Sequence, residues 1–157
     1  MSSEVYGYVV SSEVFDWKEC FFSIEKKTGI GIAQIDKSQL YNFCEDILPN
    51  ESLSFMAFII GDKPGKKNTT YLTDYQDYSI EANIGLPLGK KQRLNLLIDM
   101  FMTVIKDTKA SRFVVAINDS SQVDEVKKVN LEELAVVIKK DFEELGLPDC
   151  IYDVFIK

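Results

Sequence analysis

The hydrophobic positions of the chain recur with two different periods, which separate strands from helices. Val5 to Val10 places three valines and two tyrosines around Gly7 and predicts a first strand. Ser11 or Ser12 can cap the helix that follows, whose apolar residues recur at helical spacing. These residues are Val14, Trp17, Phe21 and Ile24, and Gly29 and Gly31 are suited to end the helix.

The next part of the chain predicts a second helix and a central strand. Asp36 can cap the helix, its apolar face is Leu40, Phe43, Cys44 and Ile47, and Pro49 ends it. Leu53 to Ile60 is a nearly continuous apolar run without charge, as in a buried strand, and an exposed turn follows it. Residues 69–84 are rich in Thr and Tyr and predict an antiparallel strand or hairpin.

The second half predicts two strong amphipathic helices, each followed by a strand. The first helix spans residues 90–109 and the strand Arg112 to Asn118 follows it, while the second helix precedes a terminal strand from Cys150 to Ile156. The apolar positions are Leu94, Leu97, Ile98, Phe101, Val104 and Ile105 in the first helix, and Leu131, Leu134, Ile138, Phe142 and Leu145 in the second. We therefore expect an α+β or mixed α/β fold, with a sheet of about five strands covered by about four helices.

Composition favours a single folded domain over residues 1–157. The length is typical of one domain, and a hydrophobic fraction of 46% is sufficient for a core. No apolar run is long enough to cross a membrane, and the first residues lack the pattern of a secretory signal. We therefore expect a soluble, cytoplasmic protein.

The charge and the three cysteines limit the possible ligands. A net charge of -7 disfavours nonspecific binding of nucleic acid and complements a basic partner, although it also serves solubility alone. Cys20, Cys44 and Cys150 are widely spaced within apolar patterns, as expected of reduced core thiols. With neither a histidine nor a C-x-x-C pair to complete a zinc site, we expect no metal and no cofactor.

Familiar catalytic motifs are also lacking. The chain contains no histidine, which excludes Ser-His-Asp and Cys-His arrangements. Residues 61–67 superficially resemble a phosphate-binding loop, but Lys67 stands where Ser or Thr should hold magnesium. We therefore predict no catalytic residues, although carboxylate, lysine, tyrosine or thiol chemistry stays open.

The segment most suggestive of a binding site alternates tyrosines with carboxylates. Tyrosine is enriched in protein interfaces, and clustered carboxylates steer a basic partner. As a strand, the segment has a second interpretation, in which the tyrosines pack across a sheet edge and the acids face water. As a helix, its acids could share a face and bind a hard cation. The candidate partner-binding residues are Tyr71, Asp74, Tyr75, Asp77, Tyr78 and Glu81.

A second group of acids follows the polar side of the last helix. It contains Glu132, Glu133, Asp141, Glu143 and Glu144, with Lys139 and Lys140 among them. Mixed charges of this kind are typical of a solvated helix surface, and we assign them no function.

The layout of the C-terminal half resembles bacterial immunity proteins of polymorphic-toxin systems, including contact-dependent growth inhibition. The resemblance lies in the helix 90–109, the strand Phe113 to Ile117, the turn Ser120 to Val123, the helix ending at Leu145 and the strand 148–152, with the opening strand 5–9. It implies a small, acidic, non-enzymatic cytoplasmic protein that blocks a toxin, frequently a basic nuclease, and it implies no fixed functional residues.

Our leading hypothesis is thus a toxin-neutralising protein whose acidic, tyrosine-bearing surface binds a basic toxin. One alternative is a small enzyme that uses carboxylate or tyrosine chemistry, for which a buried carboxylate of raised pKa beside a deep pocket would be evidence. The other is a structural or adaptor subunit, which would expose a large apolar patch and self-associate.

Overall fold

The computed structural model describes residues 4–11, 13, 16–40, 42–48, 55–61, 90–118, 123, 125–145 and 148–156. Within these residues lie six strands and three α-helices. In chain order they are β1 (Glu4–Ser11), α1 (Trp17–Thr28), β2 (Ile32–Ile35), β3 (Phe55–Ile60), α2 (Lys90–Asp107), β4 (Ala110–Asn118), β5 (Glu125–Asn130), α3 (Leu134–Leu145) and β6 (Cys150–Phe155).

The six strands form one mixed sheet in the order β2-β3-β1-β4-β6-β5. Neighbouring strands are antiparallel, except that β5 and β6 run parallel. The arrangement confirms a mixed α/β class, roughly α+β. The expected counts of about five strands and four helices were wrong for the described residues, which hold six strands and three α-helices.

Two strands escaped the sequence prediction for different physical reasons. β2 has four residues, too few for an alternating pattern to emerge. In β5, Val129 is buried, but Lys127 also points inward and binds a carboxylate, which hides the alternation. A strand of only four residues, or a strand with an inward-pointing charge, is thus recognised only when the elements packed beside it are known.

The helix predicted from Asp36 was wrong. Asp36 instead caps a single 3-10 turn, Lys37–Gln39, and a second turn follows at Glu45–Ile47. The predicted apolar residues Leu40, Phe43 and Ile47 are buried, but Cys44 is exposed. The strand or hairpin predicted at residues 69–84 lies outside the described residues.

All three helices pack on one face of the sheet. The six apolar positions predicted for α2 are all buried, and they join Val5, Phe58 and Phe113 of the strands in one core. Leu134, Ile138 and Phe142 bring α3 into the same core, as predicted. Two other predicted positions differ: Leu145 is 57% exposed, and Leu131 lies in a 3-10 turn before the helix.

The opposite face of the sheet carries a second, smaller core. Tyr6, Tyr8 and Val10 of β1 point to this face, because alternate residues of a strand face opposite ways. Phe43 lies between the two tyrosines, with ring centroids 5.8 Å from Tyr6 and 6.2 Å from Tyr8. The loop after β2 therefore covers the sheet where no helix does among the described elements.

Candidate functional site

The six residues predicted to bind a partner fall within residues 62–89, outside the described residues. They are Tyr71, Asp74, Tyr75, Asp77, Tyr78 and Glu81. Their role stays a prediction, and the described part of the chain supplies three other places where polar groups concentrate: two buried ion pairs and one groove.

The first buried ion pair lies on the face of the sheet away from the helices. Arg112 of β4 donates from Nε and Nη2 to the two carboxylate oxygens of Asp153 of β6, at 3.0 and 2.9 Å. The Asp153 side chain is only 1% exposed. The guanidinium carbon lies 4.6 Å from the ring centroid of Phe155 and 5.8 Å from that of Tyr8. Charge and hydrogen bonds are thus matched within the pair.

Tyr8 extends this first cluster to the loop after β2. Its hydroxyl donates to the backbone carbonyl of Ile47. Burial raises the pKa of Tyr8 to about 12, and the Asp153 charge adds to the rise while Arg112 opposes it. Because the hydrogen bond to Asp153 favours the charged guanidinium, the pKa of Arg112 is raised as well. The phenol therefore stays protonated at neutral pH and acts as a hydrogen-bond donor.

The second buried ion pair lies beneath α3. Asp141 is 4% exposed and accepts hydrogen bonds from Lys127 Nζ at 2.8 and 2.9 Å and from the Tyr152 hydroxyl at 2.8 Å. Burial first, and the Asp141 hydrogen bond second, raise the pKa of Tyr152. The placement of Asp141 on the solvated side of the last helix was wrong, whereas Glu132, Glu133, Glu143 and Glu144 are exposed as predicted.

Sequence reasoning overlooked both pairs, although one of them left a signal. Asp153 stands within the run Cys-Ile-Tyr-Asp-Val-Phe, where a charge inside a buried strand requires a partner. Both pairs are closed arrangements of opposite charges that tie neighbouring elements together. We therefore assign both pairs a structural role.

The groove lies between α1 and β2 and measures about 580 Å³. This volume is within the usual range of ligand-binding clefts. Its apolar lining comes from Phe21, Phe22, Ile32 and Ala33, and its polar lining is Asp16, Lys18, Glu19, Glu25 and Gln34. Phe22 is 56% exposed, a large aromatic surface open to solvent in the described part of the chain.

Local interactions fix the shape of this α1–β2 groove. Asp16 caps α1 by accepting from the Glu19 amide at 3.2 Å, and Gly29 ends the helix in the left-handed conformation. Glu25, 8% exposed, accepts from the backbone amide of Ile32 at 3.0 Å and so ties α1 to β2. The walls of the groove are therefore held in place by both the helix and the strand.

The electrostatics of the groove are acidic. Among the described residues that line it, Asp16 and Glu19 carry exposed carboxylates, Glu25 carries a buried carboxylate bonded to the Ile32 amide, and Lys18 carries an ammonium group. The Lys26 ammonium lies over the Phe22 ring, with its Nζ 4.5 Å from the ring centroid, and adds a second cation near the groove. An apolar lining with exposed carboxylates suits a partner that offers both basic and apolar side chains.

The remaining candidates for a site are the cysteines, a cluster of metal-binding side chains and a membrane-spanning helix. Cys20 is half-buried, Cys44 exposed and Cys150 buried, and all three are free thiols, so the expectation that every cysteine lies in the core was wrong for Cys44. No group of three metal-binding side chains occurs within the described ranges. None of the helices there is long and apolar enough to cross a membrane.

Comparisons with protein-family models, with curated proteins and with solved structures each found no match.

Proposed function

We propose that this chain is a non-enzymatic immunity protein that binds and neutralises a cognate toxin in the cytoplasm. The toxin is a basic protein, a nuclease by class, and the acidic surface of the chain blocks its substrate groove. The observation that carries this proposal is the α1–β2 groove, which is lined by the exposed carboxylates of Asp16 and Glu19 and by the exposed ring of Phe22.

Charge supports the same proposal. The chain has a net charge of -7, so a basic toxin is attracted from a distance and binds quickly at low salt. At close range the Phe22 ring supplies the apolar contact that turns a charged encounter into a stable complex. The tyrosines and acids between Tyr71 and Glu81 stay a second candidate for contact with the toxin.

Neutralisation is tested in cells that express the toxin domain encoded beside the gene for this chain. We expect co-expression of the wild-type chain to restore growth, and the Phe22→Ala variant to restore it less. Leu145→Ala is the matched control, because Leu145 is a similarly exposed apolar residue, 57%, at the far end of α3. Failure of the wild-type chain to protect, or the absence of a neighbouring toxin gene, would overturn the proposal.

The segment between Tyr71 and Glu81 has its own test. Replacing Asp74, Asp77 and Glu81 with Lys should weaken toxin binding by about tenfold or more, because three attractions become repulsions, while the fold persists. Calorimetric titration with a catalytically inactive toxin domain measures this, and circular dichroism checks the fold. Equal affinity of the triple variant and the wild type removes this segment from the binding surface.

A further inference from the structure

The outer edge of β2 borders the groove, and at one of its residues the outward backbone groups have no hydrogen-bond partner within the described residues. Among the described residues, β3 is the strand that pairs with β2, which leaves β2 at the end of the sheet. The Gly61 amide donates to the Gly31 carbonyl at 2.8 Å, so Gly31 faces β3. Because backbone groups alternate in an antiparallel ladder, those of Ile32 and Gln34 point away from β3.

Side-chain acceptors occupy the amides on either side of Gln34. Glu25 accepts from the Ile32 amide, as described above, and the Gln39 side chain accepts from the Asp36 amide at 3.0 Å. No hydrogen bond within the described residues engages the outward amide or carbonyl of Gln34. Because the outward amides on both sides of Gln34 are already bonded, this edge resists continuous pairing with other strands. Within the described residues, Gln34 is left to form one residue pair with two hydrogen bonds, one from its amide and one to its carbonyl.

We propose that a basic, extended segment of the partner adds to this edge as a short strand, paired with Gln34. This inference rests on the proposed function and specifies how the partner is recognised. The partner residue opposite Gln34 donates its amide to the Gln34 carbonyl and accepts from the Gln34 amide.

Side-chain positions on the added strand follow from the faces of β2. Ile32 and Gln34 point to the helix-covered face, where Ile32 is part of the core that contains α1. The partner residue opposite Gln34 therefore points to the side of the groove, whose lining includes Glu19 and Phe22, and a Lys or Arg there is attracted by the exposed carboxylates of that lining. Its two neighbours point to the other face, beside the partly buried Ala33 and Ile35, and are apolar.

The proposal is tested with a synthetic octapeptide of alternating lysine and valine, titrated into the isotopically labelled protein. We expect the Gln34 amide to shift and its hydrogen exchange to slow by about tenfold or more. An octapeptide of alternating glutamate and valine should not bind, because its carboxylates meet those of the groove. Equal binding of the two peptides, or unchanged exchange at Gln34 with about 1 mM lysine peptide, would overturn the proposal.

A matched pair of variants isolates the backbone contribution. Gln34→Pro removes the outward amide but leaves the hydrogen bonds between β2 and β3, and edge strands tolerate proline at such a position. It should weaken binding of the lysine peptide by about tenfold, whereas Gln34→Ala loses only the side chain, keeps the amide and should bind the peptide about fivefold more tightly than Gln34→Pro. Equal peptide binding by the two variants contradicts strand addition. If Gln34→Pro does not fold, the hydrogen-exchange measurement on the wild-type chain still tests the proposal.

The test of strand pairing at β2 and the test of toxin neutralisation can fail independently. If the chain protects cells from the toxin and Gln34→Pro protects equally, neutralisation holds and pairing at β2 fails. If the wild-type chain does not protect, the proposed function fails, while the peptide titration still reports whether the edge binds a basic strand.

Discussion

At the scale of single residues, the two buried carboxylates show how a charge is compensated inside this fold. Asp153 and Asp141 sit within the fold, and each is matched by one cation and by a nearby or hydrogen-bonded tyrosine. Breaking a buried pair is costly because the remaining ion stays without its counter-charge, whereas replacing both members with apolar residues is often tolerated.

Arg112→Met should therefore lower the free energy of unfolding by about 3–5 kcal/mol, because Asp153 is left buried and uncompensated. The double variant Arg112→Met/Asp153→Leu should recover most of this loss. Urea unfolding of both variants and the wild type measures the difference. A double variant that is less stable than the single one would show that the pair is worth more than its desolvation cost.

Tyr8 makes stability depend on pH in the alkaline range. Its pKa is about 12 in the folded chain against an ordinary value of 10.0, so the unfolded chain releases this proton first. The Tyr8 contribution is fully present below about pH 10 and is lost as pH rises towards 12. Between these values we expect the unfolding free energy to fall by about 1.4 kcal/mol per pH unit from Tyr8 alone.

Tyr8→Phe provides the control for this pH dependence. Its unfolding free energy should fall less steeply between pH 10 and 12, although Tyr152 and Lys127, whose pKa values are also raised, still contribute a slope. Denaturant unfolding at a series of pH values measures both slopes. Identical slopes in the variant and the wild type would contradict the assignment to Tyr8.

At the scale of elements, length decided what the sequence revealed. α2 has eighteen residues, enough turns for its apolar stripe to stand out, and both its position and its buried face were predicted. β2 has four residues and was overlooked, although it borders the groove. The α1–β2 groove was not predicted, since no local pattern shows which helix packs beside which strand, and the acidic surface predicted between Tyr71 and Glu81 stays a prediction.

Alanine substitutions at two glycines should lower the free energy of unfolding by different amounts. A Cβ at Gly7 of β1 would lie 1.9 Å from the Val114 carbonyl oxygen, a backbone atom of β4. Gly7→Ala should therefore cost about 3 kcal/mol or more, because the central strands must separate. Gly29→Ala meets nothing within 4 Å and strains only a φ of +71°, so about 1 kcal/mol is expected. Urea unfolding measures both losses, and similar losses in Gly7→Ala and Gly29→Ala would contradict this prediction.

At the scale of the whole molecule, the helices and the loop after β2 cover opposite faces of the sheet. The helix-covered face holds the larger core, and the loop after β2 covers the smaller core on the other face. The α1–β2 groove lies at the end of the sheet, beside the capped edge of β2, where a partner can approach without disturbing either core.

The central claim is that the α1–β2 groove binds a basic toxin. The most direct measurement is calorimetric titration of the inactive toxin domain into the variant Glu19→Lys/Phe22→Ala and into the matched variant Glu133→Lys/Leu145→Ala, which makes the same kinds of change on α3 and the turn before it. We predict that the groove variant binds at least about tenfold more weakly than wild type, while the α3 variant stays within about twofold. Equal affinity of the two variants, or no binding by the wild-type chain, would contradict the claim.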